Sequence, residues 1–291
     1  MSNVDKLVAP LTNLNTSFRE VFIEVCSQGY SVLGRTPALN AENFNPWQYS
    51  SGHPPSYLAQ GRYRFLKTLE IAQSLQPKSI LEVAAGGGFN AACLYEADRR
   101  IVINDMRLLE DEIQKLIPGN TIETFTCNLF DLKPESIGQF DLVMACEVLE
   151  HVAYGAQLIN HLKQFLSPGG SLLLTTPNGS YFRSQLPTYS QITDFSVFEN
   201  EQFKPDADGH LYLYTPEEIH GLLNSAGFKS ISIDLSTTPL LSGHMGLRLL
   251  PSSRLLTSMY YRLDSWTKNL GIKARTKLCT QMIITAKIEK N

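Results

Sequence analysis

Glu147, Glu150 and His151 stand in the pattern E-x-x-E-H. On a helix the spacing i, i+3, i+4 puts all three side chains on one face. Two carboxylates and an imidazole so placed make a hard-metal site, or a carboxylate that orients a histidine general base. A purely structural His151 is the third reading. A second group lies upstream, where residues 84–88 read AAGGG between an apolar run at 79–83 and a helix-like pattern from residue 89. Such a turn lets backbone approach a ligand where a Cβ would clash, and it aims the N–H groups of a helix's first turn at that ligand. Asp105 closes a second apolar run, residues 101–103. A carboxylate at the end of a second strand accepts hydrogen bonds from two neighbouring hydroxyls, so a ribose is expected there. A glycine-rich turn with no ligand is the plainer alternative.

The elements that must position these groups follow from periodicity. Residues 56–75 carry a helical apolar pattern that Pro77 stops, and β-branched runs then alternate with helical ones. Strands are expected over 79–83, 101–103, 121–126, 140–146, 230–235 and 281–288, with one more in 167–178. Helices are expected over 18–28, 89–97, 107–116 and 215–228, and residues 147–152 are expected to open another. Thr215, Pro216 and Glu218 supply an N-cap, a first-turn proline and a capping-box partner. Alternation of this kind implies an α/β fold with a largely parallel sheet.

The turn itself reads E-x-A-x-G-x-G from Glu82 through Ala84 and Gly86 to Gly88. It resembles motif I of the class I S-adenosylmethionine-dependent methyltransferases, with Ala84 in place of the first glycine. Any positive φ at Ala84 therefore carries strain of about 1 kcal/mol or more. FDLVMACEVLEHV at 140–152, SPGGSLLLTTPN at 167–178 and YTPEEIHGLLNSAGF at 214–228 resemble successive segments of the group that includes the ubiquinone-type O-methyltransferases. The resemblance covers about residues 60–235 and the last strand. It implies a Rossmann-like seven-stranded sheet of order 3-2-1-4-5-7-6 with the last strand antiparallel, and S-adenosyl-L-methionine as cofactor. It also implies cofactor contacts from Glu82, Ala84, Gly86, Gly88, Asp105 and Met106. Asn128 would meet the adenine amino group and the Leu129 N–H a ring nitrogen, unless Asn128 only caps a turn. Glu147 would line the methionine end. The E-x-x-E-H pattern resembles the metal-binding helix of small-RNA 2′-O-methyltransferases and of some quinone O-methyltransferases, whose further histidine corresponds to His210. The implied ligand set for magnesium or another divalent cation is Glu147, Glu150, His151 and His210.

The remainder of the chain bounds the function. Of 291 residues, 43% are hydrophobic and 18% charged, with a net charge of −3. That balance suits a globular enzyme and gives no global reason to expect DNA or RNA. Five scattered cysteines read as reduced core residues. With no basic-then-apolar leader and no uncharged apolar run of eighteen, a cytoplasmic placement is expected. Residues 1–76 form an N-terminal helical and cap segment, whose proline- and aromatic-rich stretch at 36–55 covers the active site or straps the surface. Residues 77–291 form the cofactor domain, with two insertions. The first, 178–210, carries Tyr181, Phe182, Tyr189, Phe195, Phe198 and Phe203, a lid composition for an organic acceptor. The second, 238–277, carries seven Lys and Arg against Asp264 alone, which attracts a phosphate, a carboxylate or an anionic membrane surface. Methylation of a small-molecule oxygen, with His151 as base, is the reading these features favour. An RNA-end 2′-O-methyltransferase and a non-catalytic partner subunit are the alternatives.

Overall fold

The computed structural model describes residues 55–107, 111, 113–114, 117, 119–202, 209–238 and 266–289. The helix expected over 18–28, residues 36–54 of the proline-rich stretch, Phe203, and Arg248, Arg254 and Arg262 of the basic insertion lie outside the described residues.

The chain enters through α1 (Pro55–Ser74), which ends three residues before Pro77. Strand β1 (Ser79–Val83), the glycine turn and α2 (Phe89–Leu94) follow. Helix α2 is shorter than its apolar pattern suggested, because Tyr95 is already extended with ψ 130. Next come β2 (Arg100–Asp105), β3 (Glu123–Thr126), α3 (Pro134–Ile137) and β4 (Phe140–Cys146). Between β2 and β3, where a helix was expected, residues 111, 113 and 114 are described and helical. After β4 the chain forms α4 (Gly155–Lys163), β5 (Leu166–Pro177), α5 (Pro216–Ser225), β6 (Lys229–Ser236), α6 (Ile272–Leu278) and β7 (Gln281–Lys287). The seven strands stand in the order β3-β2-β1-β4-β5-β7-β6. Strands β1 to β5 run parallel, and β7 pairs antiparallel with both β5 and β6. This is the topology that the sequence resemblance implied.

Side chains alternate across each strand, so neighbouring residues feed opposite cores. Leu81, Val143 and Leu174 face one core with Phe165, Tyr212 and Ile219, whereas Ile80, Leu142 and Leu173 face the other. Leu69 and Ala72 of α1 belong to that second core, beside Ala91 of α2 and Ile283 of β7. Thr215 Oγ1 accepts from the Glu218 N–H at 3.1 Å, and Glu218 Oε2 accepts from the Thr215 N–H at 2.7 Å, the reciprocal cap expected for α5. Helix α4 stops at Lys163, five residues before the Pro-Gly-Gly of residues 168–170. Those residues open β5, with a register shift against β4 and Gly169 at φ 79.

Both insertions leave the sheet at its carboxyl edge, and Asn178 holds them there. Its Nδ2 donates to the carbonyls of Thr276 and Cys279, each at 2.7 Å, and its Oδ1 accepts from the Ser180 N–H at 3.0 Å. Tyr189, Phe195 and Phe198 of the first insertion pack inward. Tyr189 stacks on buried Tyr214 with ring centroids 5.5 Å apart, and Phe195 and Phe198 each lie 5.5 Å from the Tyr212 ring. These rings anchor the insertion to the core. No helix among the described residues is long and apolar enough to cross a membrane.

Candidate active site

The glycine turn sits at the carboxyl ends of β1 and β2. Ala84 has φ 48, so a side-chain-bearing residue occupies the left-handed region that motif I gives to glycine. Gly86 and Gly88 follow at φ 61 and 70. A Cβ on Gly86 would meet nothing within 4 Å, leaving its face of the turn clear for a ligand. A Cβ on Gly88 would stand 2.3 Å from Ile113 Cδ1, so that glycine serves packing. Asp105 fastens the turn, since its Oδ2 accepts from the Gly86 N–H at 2.9 Å and its Oδ1 from the Arg107 N–H at 3.0 Å. Met106, beside it, is half-exposed.

Glu82 is turned inward. Its Oε1 accepts from Asn90 Nδ2 at 2.7 Å and its Oε2 from the Ala91 N–H at 3.0 Å. One of the first-turn N–H groups of α2 is thereby satisfied by protein. Burial pushes the Glu82 carboxyl up to about 7, against the pull of those two hydrogen bonds. Glu82 thus shapes the turn from inside the core. Asn128 Oδ1 accepts from the Phe130 N–H at 3.0 Å and caps the short 3-10 turn Leu129–Asp131, as the capping reading held. Leu129 is buried, and its carbonyl accepts from His161 Nε2 at 2.8 Å. Asn104, unremarked in the sequence, ties β2 to the end of β3 by donating to the Phe125 and Cys127 carbonyls at 3.1 and 2.9 Å.

The E-x-x-E-H segment departs from the expected helix. Glu147 has φ 56, residues Leu149–His151 make a single 3-10 turn, Val152 is extended, and α4 begins only at Gly155. The cause is the grip of β5 on Glu147. Its N–H donates to the Thr175 carbonyl at 2.9 Å, and Thr175 Oγ1 donates to Glu147 Oε1 at 2.9 Å. The other carboxylate oxygen takes an ion pair from Arg64 of α1 at 2.7 Å. Glu147 therefore shares no helical face with Glu150 and His151. Glu150 is fully buried; Thr176 Oγ1 donates to its Oε2 at 2.9 Å, and its Oε1 has no hydrogen-bond partner. Burial, reinforced by the nearby Glu147 charge, holds the Glu150 carboxyl well above the usual carboxylate range.

The chain beyond the first insertion returns to this turn. Leu211 N–H donates to the Glu150 carbonyl at 2.8 Å, and the His210 ring packs edge-on to His151 with centroids 5.1 Å apart. Burial, together with the neighbouring imidazole of His151, lowers the His210 pKa. His151 Nδ1 lies 3.1 Å from the Gly209 carbonyl, and its Nε2 lies 4.0 Å from Glu150 Oε1. Ligand atoms of Glu150, His151 and His210 all fall within 4.8 Å of one another. Three of the four residues of the expected metal set are thus brought together, and Glu147 is directed elsewhere.

Residues 54–233 match a family described as a methyltransferase domain, well over half of the chain. The chain belongs to that family. The methyltransferase has the strand order and glycine turn of the class I, S-adenosylmethionine-dependent members. It is 29% identical over 112 residues to a ubiquinone biosynthesis O-methyltransferase of Bordetella avium (strain 197N), covering 38% of this chain and 46% of that protein. A protein of the same name from Nitrosococcus oceani is 31% identical over 108 residues, covering 36% and 46%. The methyltransferase chain thus spans about half the length of the curated relatives it matches. The solved CurJ carbon methyltransferase superposes with a TM-score of 0.50 at 16% identity, over 93% of this chain and 66% of that one, a likeness of fold alone. Within the methyltransferase, the missed site residues divide by signal. Thr175 and Thr176 lie in the SPGGSLLLTTPN string that carries part of the family resemblance, whereas Arg64 sits in a helix legible only by its apolar period.

Proposed function

We propose that this protein transfers the methyl group of S-adenosylmethionine to a hydroxyl oxygen of a small organic acceptor. The residues fit the donor's nucleoside. Asp105 is poised for the ribose, the clear face of Gly86 admits close approach, and half-exposed Met106 offers an apolar surface beside them. When bound, S-adenosylmethionine supplies a methyl group that is already electrophilic. What the chain adds is alignment, exclusion of water, and a place for the acceptor's proton. The likeness to O-methyltransferases of ubiquinone biosynthesis favours oxygen as the atom methylated.

The observation that carries the reading is the approach of His151 Nδ1 to the Gly209 carbonyl. The Gly209 carbonyl can only accept, so at 3.1 Å His151 Nδ1 carries the proton and donates it. In the neutral imidazole Nε2 then keeps its lone pair, the form a general base needs, and can take the acceptor's hydroxyl proton. Arg64 is the cation beside this cluster for an anionic acceptor group, provided Glu147 releases it. Incubation with methyl-labelled S-adenosylmethionine and phenolic acceptors, followed by mass spectrometry, tests the activity. His151→Ala should lower kcat by about 10² to 10⁴ and leave cofactor affinity intact. Loss of folding along with activity would make His151 structural.

A second reading has one observation of its own, the buried and unpartnered Oε1 of Glu150 facing two imidazoles. A divalent cation held by Glu150, His151 and His210 would satisfy that oxygen. Two nitrogens and one oxygen suit manganese, iron or zinc better than the magnesium expected from sequence, because magnesium prefers oxygen donors. Metal analysis of the purified protein decides it, with activity after chelation as the second readout. Full activity in a metal-free preparation, and in His210→Ala, leaves His151 acting alone.

A further inference from the structure

Away from this cluster, the end of the second insertion presents a surface that catalysis does not use. The 3-10 turn Thr267–Asn269 leads into α6, and the run 266–288 contains five lysines and arginines and no acidic residue, in a chain whose net charge is −3. Trp266 is 59% exposed and Ile272 64% exposed. Lys273 and Lys277 are also exposed. Arg275 faces the other way, donating to the Leu235 carbonyl at 2.5 Å and to Asp234 at 3.1 Å, and so pins α6 against β6. Phe182, 55% exposed, is joined to this surface because its N–H donates to the Lys277 carbonyl at 3.0 Å.

Aromatic and aliphatic side chains standing in water next to lysines, on a helix tied down by its polar face, are a costly arrangement for a monomer in solution. Acidic protein surfaces would answer the charge alone. Exposed tryptophan, isoleucine and phenylalanine with interleaved lysines answer a lipid interface, where indole rings sit at headgroup level and lysines meet anionic headgroups. Location supports the same occupant. Helix α6 runs into β7, whose first residue pairs with Pro177 at the carboxyl end of β5, and Thr175 and Thr176 of that strand hold Glu147 and Glu150. The surface therefore flanks the edge of the sheet where the candidate active site lies.

We propose that Phe182, Trp266, Ile272, Lys273 and Lys277 form a peripheral docking face for an anionic phospholipid bilayer. The face gives the enzyme access to an acceptor dissolved in, or released from, that bilayer, whichever atom is methylated. Cosedimentation of the full chain with phosphatidylcholine vesicles, with and without phosphatidylglycerol, tests it. Binding should require the anionic lipid and weaken in high salt. Each lysine near such a surface contributes about fivefold in partitioning, so Lys273→Ala/Lys277→Ala should weaken binding by about 25-fold while cofactor affinity and methyl transfer to a soluble acceptor stay unchanged. Brominated acyl chains should quench the tryptophan fluorescence of the wild type, and Trp266→Phe should abolish that quenching. Equal binding to neutral vesicles, no binding to anionic ones, an unchanged double variant, or quenching that survives in Trp266→Phe would each overturn the proposal. Capture of an acidic protein in preference to vesicles would assign the face to a protein partner, and overturn it likewise. Loss of methyl transfer with vesicle binding intact would instead count against the functional reading.

Discussion

Glu82 makes the folding free energy of this protein depend on pH. Its carboxyl ordinarily titrates at 4.5 and in the fold is pushed up to about 7 by burial, so the native state holds the proton more tightly than the unfolded chain. That contribution to stability is complete below the unfolded value and is lost as pH rises through the folded one, a decline of about 3 kcal/mol. Asn90 Oδ1 has no partner in the core. With its amide turned over, Asn90 can accept from a protonated Glu82, or from a glutamine in its place. Glu82→Gln should therefore gain stability on the wild type between about pH 5 and about pH 8, as thermal unfolding would record, and a difference independent of pH would count against this account. Ala84 carries strain that its sequence announced, since a small non-glycine residue stands where the motif wants glycine. Ala84→Gly should raise the melting temperature by about 2–4 °C, and Ala84→Val should lower it by more. On the proposed reading, in which Asp105 accepts from the ribose and also fastens Gly86, Asp105→Ala should weaken S-adenosylmethionine binding by roughly 2 kcal/mol in calorimetric titration. The place of Asp105 at the end of β2 was legible because a strand end is marked by residues adjacent in sequence. The contact from Arg64 to Glu147 was not, since it joins residues 83 apart through a helix whose polar face is unconstrained by pattern.

Helix starts and buried strands were legible because their signals lie within a few residues. The α5 cap is the plainest case, with Thr215, Pro216 and Glu218 all in the places their chemistry requires. The E-x-x-E-H segment misled for the opposite reason. Its helical spacing is genuine, yet the hydrogen bonds that hold Glu147 at positive φ come from Thr175, on another strand. Glu218 has a further role that no local pattern showed: its Oε1 accepts from the Ser190 N–H at 2.8 Å and so joins the lid to α5. Burial alone would raise its pKa, but hydrogen bonds from Ser190 and Thr215 hold it below the usual range. That share of stability is present above the ordinary carboxylate range and disappears as pH falls through the depressed value. Glu218→Ala should cost about 1 kcal/mol and speed amide exchange at Ser190 more than in β4, whereas uniform exchange changes would show that the lid does not depend on this residue.

Across the whole molecule, the sheet separates two cores that adjacent residues of one strand fill from opposite sides. Leu173 and Leu174 are both fully buried, one in each core. Truncating either to alanine should cost about 2–5 kcal/mol in denaturant unfolding, and the two losses should nearly add because the two side chains pack in different clusters on opposite faces of the sheet. The strand order was legible through the family resemblance that the segments at 82–88, 140–152, 167–178 and 214–228 carry, whereas the alternation of strands and helices by itself implied only an α/β fold with a largely parallel sheet. The packing of lid aromatics against Tyr212 and Tyr214 was not legible, since composition alone says that rings are present and not which way they face. Asn178 gives this architecture a mechanical property. A single side chain bonds both to the end of α6 and to the start of the lid, so the two insertions share one pivot. Force applied to α6 reaches the first insertion through these three hydrogen bonds and the one that the Phe182 N–H donates to the Lys277 carbonyl.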